Sequence, residues 1–193
     1  MGKFFKKKKM SLTKIFTVSF EFCLTHKPEW LDDFRRKFDK PYDFHITLKS
    51  PSTFLENNLQ EMQEALASLA ARHKKFEIIF DKLFESQTSK GGYLMNEARR
   101  NDALFSFQKE TREAFARFGE PISAELACFE ENFRPHITIA RELDLKTMVE
   151  AKKALGKDIL CEAQIDEVIL TIAKEDSFAE WISPENKTRA SLA

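Results

Sequence analysis

Two short segments of this 193-residue chain contain the same tripeptide, His-Ile-Thr, in an apolar setting. The first lies in Phe44-His-Ile-Thr-Leu48 and the second in Pro135-His-Ile-Thr-Ile139. Successive side chains of a β-strand point to opposite faces, so the histidine and the threonine share one face and the aliphatic residues share the other. Each segment therefore predicts a strand that buries its aliphatic side and presents an imidazole beside a hydroxyl.

The rest of the chain repeats one order of elements around these two segments. Alternating apolar residues predict strands, and apolar residues spaced by threes and fours predict amphipathic helices. A Thr53-x-x-Glu56 capping box predicts the start of the second helix. The first five elements are strands over 15–23, 43–49 and 76–80 and helices over 28–38 and from 53 onward. The next five are strands over 93–97, 133–140 and 168–173 and helices over 102–118 and from 144 onward.

A β-α-β-α-β order that occurs twice predicts a duplicated unit, with lobes over roughly 13–86 and 92–176. No linker rich in Pro, Gly or Ser separates the halves, so we expect one bilobal domain over 13–180. If the lobes pack about a pseudo-twofold axis, the two His-Thr pairs meet in one cleft. Residues 1–12 are basic and predict a flexible tail, and the polar residues 181–193 predict a loose C-terminal tail.

Composition excludes several classes of function. The formal net charge is zero, which argues against capture of nucleic acid by bulk charge. Three widely spaced cysteines favour a reducing cytosol over a disulfide framework or a zinc site. No apolar run is long enough to cross a membrane, and no phosphate-binding glycine loop or metal-ligand motif is present. We therefore expect a cytoplasmic monomer that uses no metal or cofactor, contacts no membrane and needs no protein partner.

Paired histidines suit the chemistry of a phosphodiester. Cleavage requires one group to remove a proton from the nucleophile and another to protonate the leaving oxygen. Histidine can do either near neutral pH, because its unperturbed pKa is about 6.5. Hydroxyl donors two residues along each strand can bind the charged phosphoryl oxygens. The residues alone therefore favour His45 and His136 as an acid–base pair beside Thr47 and Thr138.

The doubled His-x-Thr motif resembles the 2H phosphoesterase superfamily, in particular its branch of 2′-5′ RNA ligases and RNA 2′,3′-cyclic phosphodiesterases. The segment Phe133-Arg-Pro-His-Ile-Thr-Ile-Ala-Arg141 is typical of the second motif of that branch. The resemblance implies an α+β fold in which antiparallel sheets line a central cleft and helices lie outside. It also implies metal-independent cleavage of 2′,3′-cyclic phosphates or 2′-5′ linkages. By the same resemblance, His45 and His136 are catalytic and Thr47 and Thr138 bind phosphate.

Three basic residues are further candidates for phosphate binding. Lys49 has the strand parity of His45, and Arg134 has that of His136. Arg141 has the opposite parity to His136 but follows the motif as it does in the family. A salt bridge at the strand end is the competing interpretation for both arginines. Tyr93 and Phe133 are candidates for stacking on a nucleobase. Core packing is the competing interpretation for Phe133, because the chain contains 19 phenylalanines.

Two alternatives to cleavage of an RNA-type phosphodiester stay open. The first is a binding module that recognises RNA ends or cyclic nucleotides without turnover. The second is a 2H enzyme with another substrate, such as RNA 3′ ends, cyclic ADP-ribose phosphates or a cyclic oligonucleotide signal. In each case the expected partner is an RNA end or a small nucleotide. The sequence does not distinguish which histidine is the acid and which is the base.

Overall fold

The computed structural model describes residues 13–40 and 42–193, which form nine β-strands and six α-helices. The strands are β1 (Thr13–Phe22), β2 (Leu24–His26), β3 (Phe44–Leu55), β4 (Phe76–Thr88), β5 (Gly91–Ala98), β6 (His136–Leu143), β7 (Cys161–Ile165), β8 (Glu167–Ala173) and β9 (Lys187–Ser191). The helices are α1 (Leu31–Phe38), α2 (Leu59–Ala71), α3 (Asp102–Phe115), α4 (Ala124–Glu131), α5 (Leu145–Ala154) and α6 (Phe178–Ile182).

The strands form two antiparallel sheets, which we call the first and the second sheet. The first has the order β3-β1-β8-β9 and the second the order β2-β7-β4-β5-β6. Helices α2, α3 and α4 pack on the first sheet, and α1 and α5 pack on the second. The two motif strands, β3 and β6, are edge strands of different sheets and contact each other. The predicted α+β fold with antiparallel sheets is confirmed.

Strand β1 shows how the apolar alternation builds the first sheet. Phe16, Val18 and Phe20 are completely buried. Phe16 packs against Phe115 and Phe20 packs against Phe107, both from α3. The intervening polar residues of β1 therefore face away from the helices, toward the side of the sheet where the first motif presents His45 and Thr47.

The two halves of the chain exchange strands. Strand β4 lies in the second sheet, although the sequence places it in the first lobe, and β8 from the second half pairs with β1 in the first sheet. The lobe boundaries of 13–86 and 92–176 are therefore wrong as a description of the two sheets. Because β8 joins the first sheet, β1 is paired with β3 along one edge and with β8 along the other. Without β8, the backbone N–H and C=O groups on one edge of β1 would have no strand partner.

The prediction of a loose tail over 181–193 is wrong. Residues Lys187–Ser191 form β9, which pairs with β8 along its whole length. Leu192 is buried, and Lys187 forms an ion pair of 2.7 Å with Glu21 of β1. A short edge strand rich in basic residues lacks apolar alternation, so its local sequence gives no strand signal. The predicted tail at 1–12 lies outside the described residues.

Two other features of the helices differ from the sequence-based expectation. Strand β3 continues past the predicted cap residue Thr53 to Leu55, a 3₁₀ turn covers Glu56–Asn58, and α2 begins only at Leu59. Helix α4 has a weak apolar pattern that does not predict it; its one buried residue is Glu130. By contrast, the Asp144 cap of α5 is confirmed, since its carboxylate accepts the Thr147 N–H at 2.7 Å. Within the described ranges, no helix has the length and apolar character needed to span a bilayer.

Both motif strands contain a β-bulge directly after the threonine. On β3, Ser19 pairs with Thr47 while the preceding Val18 pairs with Lys49, so Leu48 is an extra residue. A bulge of this kind reverses the side-chain parity of the residues that follow it, up to the next irregularity of the strand, which in β3 lies between the pairs of Val18 and Phe16. Leu48 and Lys49 are accordingly both buried on the helix side.

The bulge on β6 occupies the equivalent position. Met95 pairs with Thr138 and Leu94 pairs with Ala140, which makes Ile139 the extra residue. Ile139 and Ala140 are both buried, as their counterparts on β3 are. The duplication therefore extends beyond the tripeptide to the backbone irregularity that follows it.

Candidate active site

The first motif lies in a cleft of about 240 Å³ on the open side of the first sheet. His45 and Thr47 line it, and the neighbouring strand β1 places Glu21 opposite His45 and Ser19 opposite Thr47. Strand β8 adds Thr171 from the other side of β1. The floor of the cleft is therefore rich in hydroxyl groups from three adjacent strands.

The second motif lies on β6, beside β3 and outside the residues that line this 240 Å³ cleft. His136 pairs across the strands with Glu97, as His45 pairs with Glu21. Its ring packs edge-to-face against Phe84 and Phe129, with centroids 5.5 and 5.8 Å apart. The two histidines are close enough that positive charge on His45 lowers the pKa of His136.

A matching hydrogen bond orients each imidazole. Nδ1 of His45 lies 3.0 Å from the carbonyl oxygen of Asp43, and Nδ1 of His136 lies 2.7 Å from that of Arg134. A carbonyl oxygen only accepts, so Nδ1 is the protonated nitrogen of both rings. In the neutral form, Nε2 of each ring is then an acceptor. Both histidines therefore have Nε2 available to take up a proton.

Burial lowers the pKa of both histidines, because the charged imidazolium loses hydration. The pKa of His136 falls to about 4, and charge on His45 and Arg134 adds to that effect. Arg141 further lowers the pKa of His45, whereas Glu21 and Asp39 raise it. At neutral pH both rings of the free protein are neutral, and either can act as a base.

The motif threonines have unused hydrogen-bonding capacity. Within the described part of the chain, neither the Thr47 nor the Thr138 hydroxyl has a side-chain hydrogen bond to the protein, and both residues are partly exposed. Thr17, also on the cleft floor, differs because its hydroxyl donates to the Lys49 carbonyl at 2.7 Å. A hydroxyl without a protein partner is free to donate to a ligand oxygen.

The structure does not place Lys49 with the motif residues, so the prediction that it reaches the phosphate is wrong. Its side chain is 5% exposed and forms an ion pair of 3.0 Å with Glu130 of α4. The Leu48 bulge is the physical reason, because it turns Lys49 toward the helices after Thr47 has faced the cleft. A parity argument from the sequence fails at a bulge it cannot detect.

The same effect places Arg141 in the cleft despite its parity. Beyond the Ile139 bulge the alternation is reversed, and Arg141 joins His45 and Thr47 in the cleft lining. Its guanidinium forms an ion pair with the fully buried carboxylate of Asp39 and lies 4.2 Å from the ring centroid of Tyr42. Arg141 is therefore a cation held in a defined orientation at the edge of the cleft.

Arg134 forms the salt bridge that was its competing interpretation. Its guanidinium lies 2.7 Å from the Glu97 carboxylate and 3.5 Å from the centroid of the Phe84 ring. The hydrogen bond from Arg134 lowers the pKa of Glu97. Arg134 does not line the cleft around His45. It instead flanks His136, since Phe84 contacts both side chains.

Several cleft residues lie outside both motifs. Tyr93, the predicted stacking residue, lines the cleft. Tyr42, Lys90 and Trp181 line it as well, and no sequence pattern identifies them. They lie in or next to loops and a short helix, where periodicity is absent. Trp181 Nε1 donates to the Asp176 carboxylate at 2.8 Å, which orients the indole at the cleft wall.

The described residues, 13–40 and 42–193, contain no group of three or more His, Cys, Asp or Glu side chains arranged to bind a metal ion. The three cysteines are free; Cys23 and Cys128 are exposed and Cys161 is buried. The donor set of the cleft is thus imidazole, hydroxyl, guanidinium and aromatic. Such groups recognise an anion beside a planar ring.

Solved structures share this fold at low sequence identity. E. coli LigT complexed with 3′-AMP aligns with a TM-score of 0.51 and 15% identity over 94% of this chain and 96% of LigT. The Thermus thermophilus protein TT0787 aligns at 0.52 and 14%, covering 93% and 95%. Kluyveromyces marxianus Usb1 aligns at 0.53 and 9%, covering 92% and 98%. At these identities the similarity establishes the fold.

The family follows from the sequence match. No curated protein matches the chain. The family model described as the 2′-5′ RNA ligase superfamily matches residues 25–177, which include both His-x-Thr motifs and every strand except β1 and β9 in full or in part. The chain therefore belongs to the 2′-5′ RNA ligase superfamily of 2H phosphoesterases.

Proposed function

We propose that this protein is a metal-independent phosphodiesterase that acts on an RNA-type 2′,3′-cyclic phosphate or 2′-5′ linkage. The observation that supports this most directly is the pair of histidines on the contacting strands β3 and β6. Each has its Nδ1 hydrogen-bonded to a backbone carbonyl. One Nε2 takes a proton and the other gives one. The family is one of phosphoesterases, and the finer assignment of substrate and mechanism is ours.

Hydrolysis of a cyclic phosphate uses the two imidazoles in one step. The neutral ring accepts a proton from water as the water oxygen bonds to phosphorus. The protonated ring donates its Nε2 proton to the ribose oxygen as the bond from that oxygen to phosphorus breaks. One water is consumed and the two rings exchange protonation states, which solvent then restores. Each acid–base group contributes about 10² to 10⁴ in rate.

The phosphate is bound by groups that the strands place beside the rings. Within the described residues, neither the Thr47 nor the Thr138 hydroxyl has a side-chain hydrogen bond to the protein, and the alternation of their strands puts each on the face of its histidine. Arg141 adds a fixed positive charge at the cleft edge. Charge-assisted hydrogen bonds of this type strengthen as negative charge develops on the phosphoryl oxygens.

The aromatic residues of the cleft favour a nucleotide over a simple phosphate ester. Tyr93 and Trp181 present ring surfaces in the same cleft as His45. Stacking on an aromatic ring contributes about 1 to 3 kcal/mol per base and tolerates any base. E. coli LigT, which has this fold, has been crystallised with 3′-AMP. We therefore expect the substrate to be an RNA end or a small nucleotide.

Turnover in the presence of a chelator tests the proposal. We expect hydrolysis of a nucleoside 2′,3′-cyclic phosphate to survive EDTA, because the two imidazoles supply both proton transfers. The substrate panel also includes 2′-5′ and 3′-5′ oligonucleotides and cyclic oligonucleotides. Activity that is lost in EDTA and restored by a divalent ion would contradict the metal-independent mechanism. Binding of the panel without turnover would favour a binding module instead.

The depressed histidine pKa values predict an acidic optimum for kcat/KM. That parameter reports the free enzyme, which is competent when one ring is neutral and one is protonated. Burial moves both pKa values below 6.5, and that of His136 to about 4. We therefore expect a bell-shaped profile with its maximum below pH 6.5, whose two apparent pKa values belong to the pair.

The profile of kcat is expected to lie at higher pH than that of kcat/KM. A bound phosphate places negative charge beside the imidazolium and raises its pKa. Arg141, Glu21 and Asp39 act on His45, and Arg134 and Glu97 act on His136, so these five charged groups modulate the shift. A kcat/KM maximum above pH 7 would contradict a site made of two partly buried imidazoles with lowered pKa values.

A further inference from the structure

Helix α4 presents a buried carboxylate to the irregular part of the first motif strand. Glu130 is 6% exposed, and one of its oxygens lies 3.0 Å from Lys49 Nζ. The other oxygen accepts the backbone N–H of Ser50 at 2.8 Å. A single side chain thus satisfies a buried ammonium and a backbone donor that lies just beyond the Leu48 bulge. Both interactions lie in the protein interior. Electrostatic contacts are stronger there than in water, because the effective dielectric constant is lower.

The segment before and within α4 completes the hydrogen bonds that the bulged strand lacks. The Ser50 hydroxyl donates to the Leu126 carbonyl at 3.3 Å, and the Ile122 N–H donates to the Pro51 carbonyl at 3.0 Å. The Glu130 backbone carbonyl in turn accepts from Arg112 of α3 at 3.0 Å. Helix α4 is therefore attached to β3 on one side and to α3 on another.

The residue next to Glu130 contacts the second motif. Phe129 packs its ring edge-to-face against His136, with centroids 5.8 Å apart and planes at 89°. Adjacent residues of one helix therefore contact the strand of His45 and the ring of His136. No other helix has a ring contact with either catalytic histidine in the described ranges.

We propose that α4 is the element that positions the two catalytic motifs relative to each other, with Glu130 and Phe129 as positioning residues. Glu130 stabilises the bulge that keeps His45 and Thr47 on the cleft face. Phe129 sets the orientation of the His136 ring. The inference rests on the proposed function and assigns it residues that lie outside the His-x-Thr motifs.

The register of β3 decides which side chains of the first motif face the cleft. A shift of one residue turns every side chain of a strand to the opposite face. The extra residue Leu48 makes such a shift possible in the part of β3 that follows Thr47, because either Leu48 or Lys49 can pair with Val18. In the observed register, Glu130 satisfies both the Lys49 ammonium and the Ser50 N–H. Loss of the acceptor therefore leaves the bulge unsupported directly beside Thr47, two residues from His45.

The experiment separates the ion pair from the backbone acceptor. K49M/E130Q removes both charges but keeps an oxygen that can accept the Ser50 N–H. K49M/E130M removes both charges and the acceptor. Replacement of a buried ion pair by uncharged residues of similar volume is often neutral for stability. We measure kcat and KM well below the Tm of each variant, together with the imidazole NMR signals of His45 and His136.

We expect K49M/E130Q to keep kcat within about threefold of wild type. In K49M/E130M we expect kcat to fall by about 10- to 100-fold with KM changed by less than about threefold, since misplacement of about 1 Å costs up to 10². The His45 ring signal should shift in the second variant only. Equal kcat and unshifted signals in both folded variants would overturn the proposal, because a purely structural role predicts that result.

Two further variants keep the outcome decisive. E130D retains the charge beside Lys49 but is too short to reach both partners, so it serves if K49M/E130M does not fold; wild-type kcat in E130D would overturn the role of Glu130. F129L keeps apolar volume but removes the ring edge, and an unshifted His136 signal in it would overturn the role of Phe129. If the wild type turns over no substrate of the panel, the proposed function fails while the NMR measurements still decide the positioning role.

Discussion

We expect His45→Ala and His136→Ala each to lower kcat by about 10²- to 10⁴-fold, the typical contribution of a positioned acid or base. Each imidazole has Nδ1 hydrogen-bonded to a backbone carbonyl, and Nε2 has no hydrogen bond to the described residues, so alanine removes the proton-transfer group of one motif and leaves the other intact. The double variant should lose far less than the product of the two effects, because both groups act in one step.

The exposed His26 of β2 provides the matched control. His26→Ala also removes an imidazole, and it should leave kcat and KM unchanged because the residue lies outside the cleft. Single-turnover measurements distinguish the chemical step from product release. Near-normal turnover in either single variant of the pair would make that histidine structural and would remove the basis for a two-histidine mechanism.

The parts of the fold that the sequence predicts are those set by local pattern. The alternation of Phe16, Val18 and Phe20 with polar residues identifies β1 and its buried face, and the structure buries all three. The duplicated His-Ile-Thr segments likewise predict two equivalent strands, which prove to be edge strands in contact. Period-two patterns are short-range, so one sequence suffices to recognise them.

The errors arise where pairing partners are distant in the sequence. Strand β9 is stable because it pairs with β8 and because Lys187 reaches Glu21, and neither interaction is visible in residues 181–193 alone. The exchange of β4 and β8 between the sheets is a choice among alternative pairings, which local propensity does not decide. The loop residues of the cleft, such as Trp181, have no periodicity at all.

In the candidate site, too, some residues are predictable from local pattern and others depend on contacts with distant parts of the chain. His45, Thr47, His136 and Thr138 follow from alternation, but the assignments of Lys49 and Arg141 depend on the bulges after each threonine. A bulge is stabilised by groups from elsewhere in the fold, in β3 by Glu130 from a helix that the sequence does not indicate. Parity is therefore a reliable guide only as far as the strand is regular.

Substitution of Thr47 or Thr138 is also expected to lower kcat/KM strongly. Thr47→Val and Thr138→Val each keep the branched shape and the strand propensity but remove the hydroxyl donor. Neither hydroxyl has a side-chain hydrogen bond to the described part of the protein, so Tm should be nearly unchanged. A hydrogen bond to a charged phosphate oxygen contributes about 1.5 to 3 kcal/mol, so we expect kcat/KM to fall by about 10- to 150-fold.

Thr111→Val in α3 is the control variant, for which we expect a change in Tm and none in kcat/KM. Thr111 is fully buried, its hydroxyl donates to the Phe107 carbonyl at 2.8 Å, and it does not line the cleft. That variant should lower Tm because it removes a protein hydrogen bond, and it should leave kcat/KM unchanged. If Thr47→Val and Thr138→Val instead lower Tm and preserve kcat/KM, the threonines stabilise the sheets. In that case the phosphate is bound without them, and Arg141 becomes the first residue to test for that role.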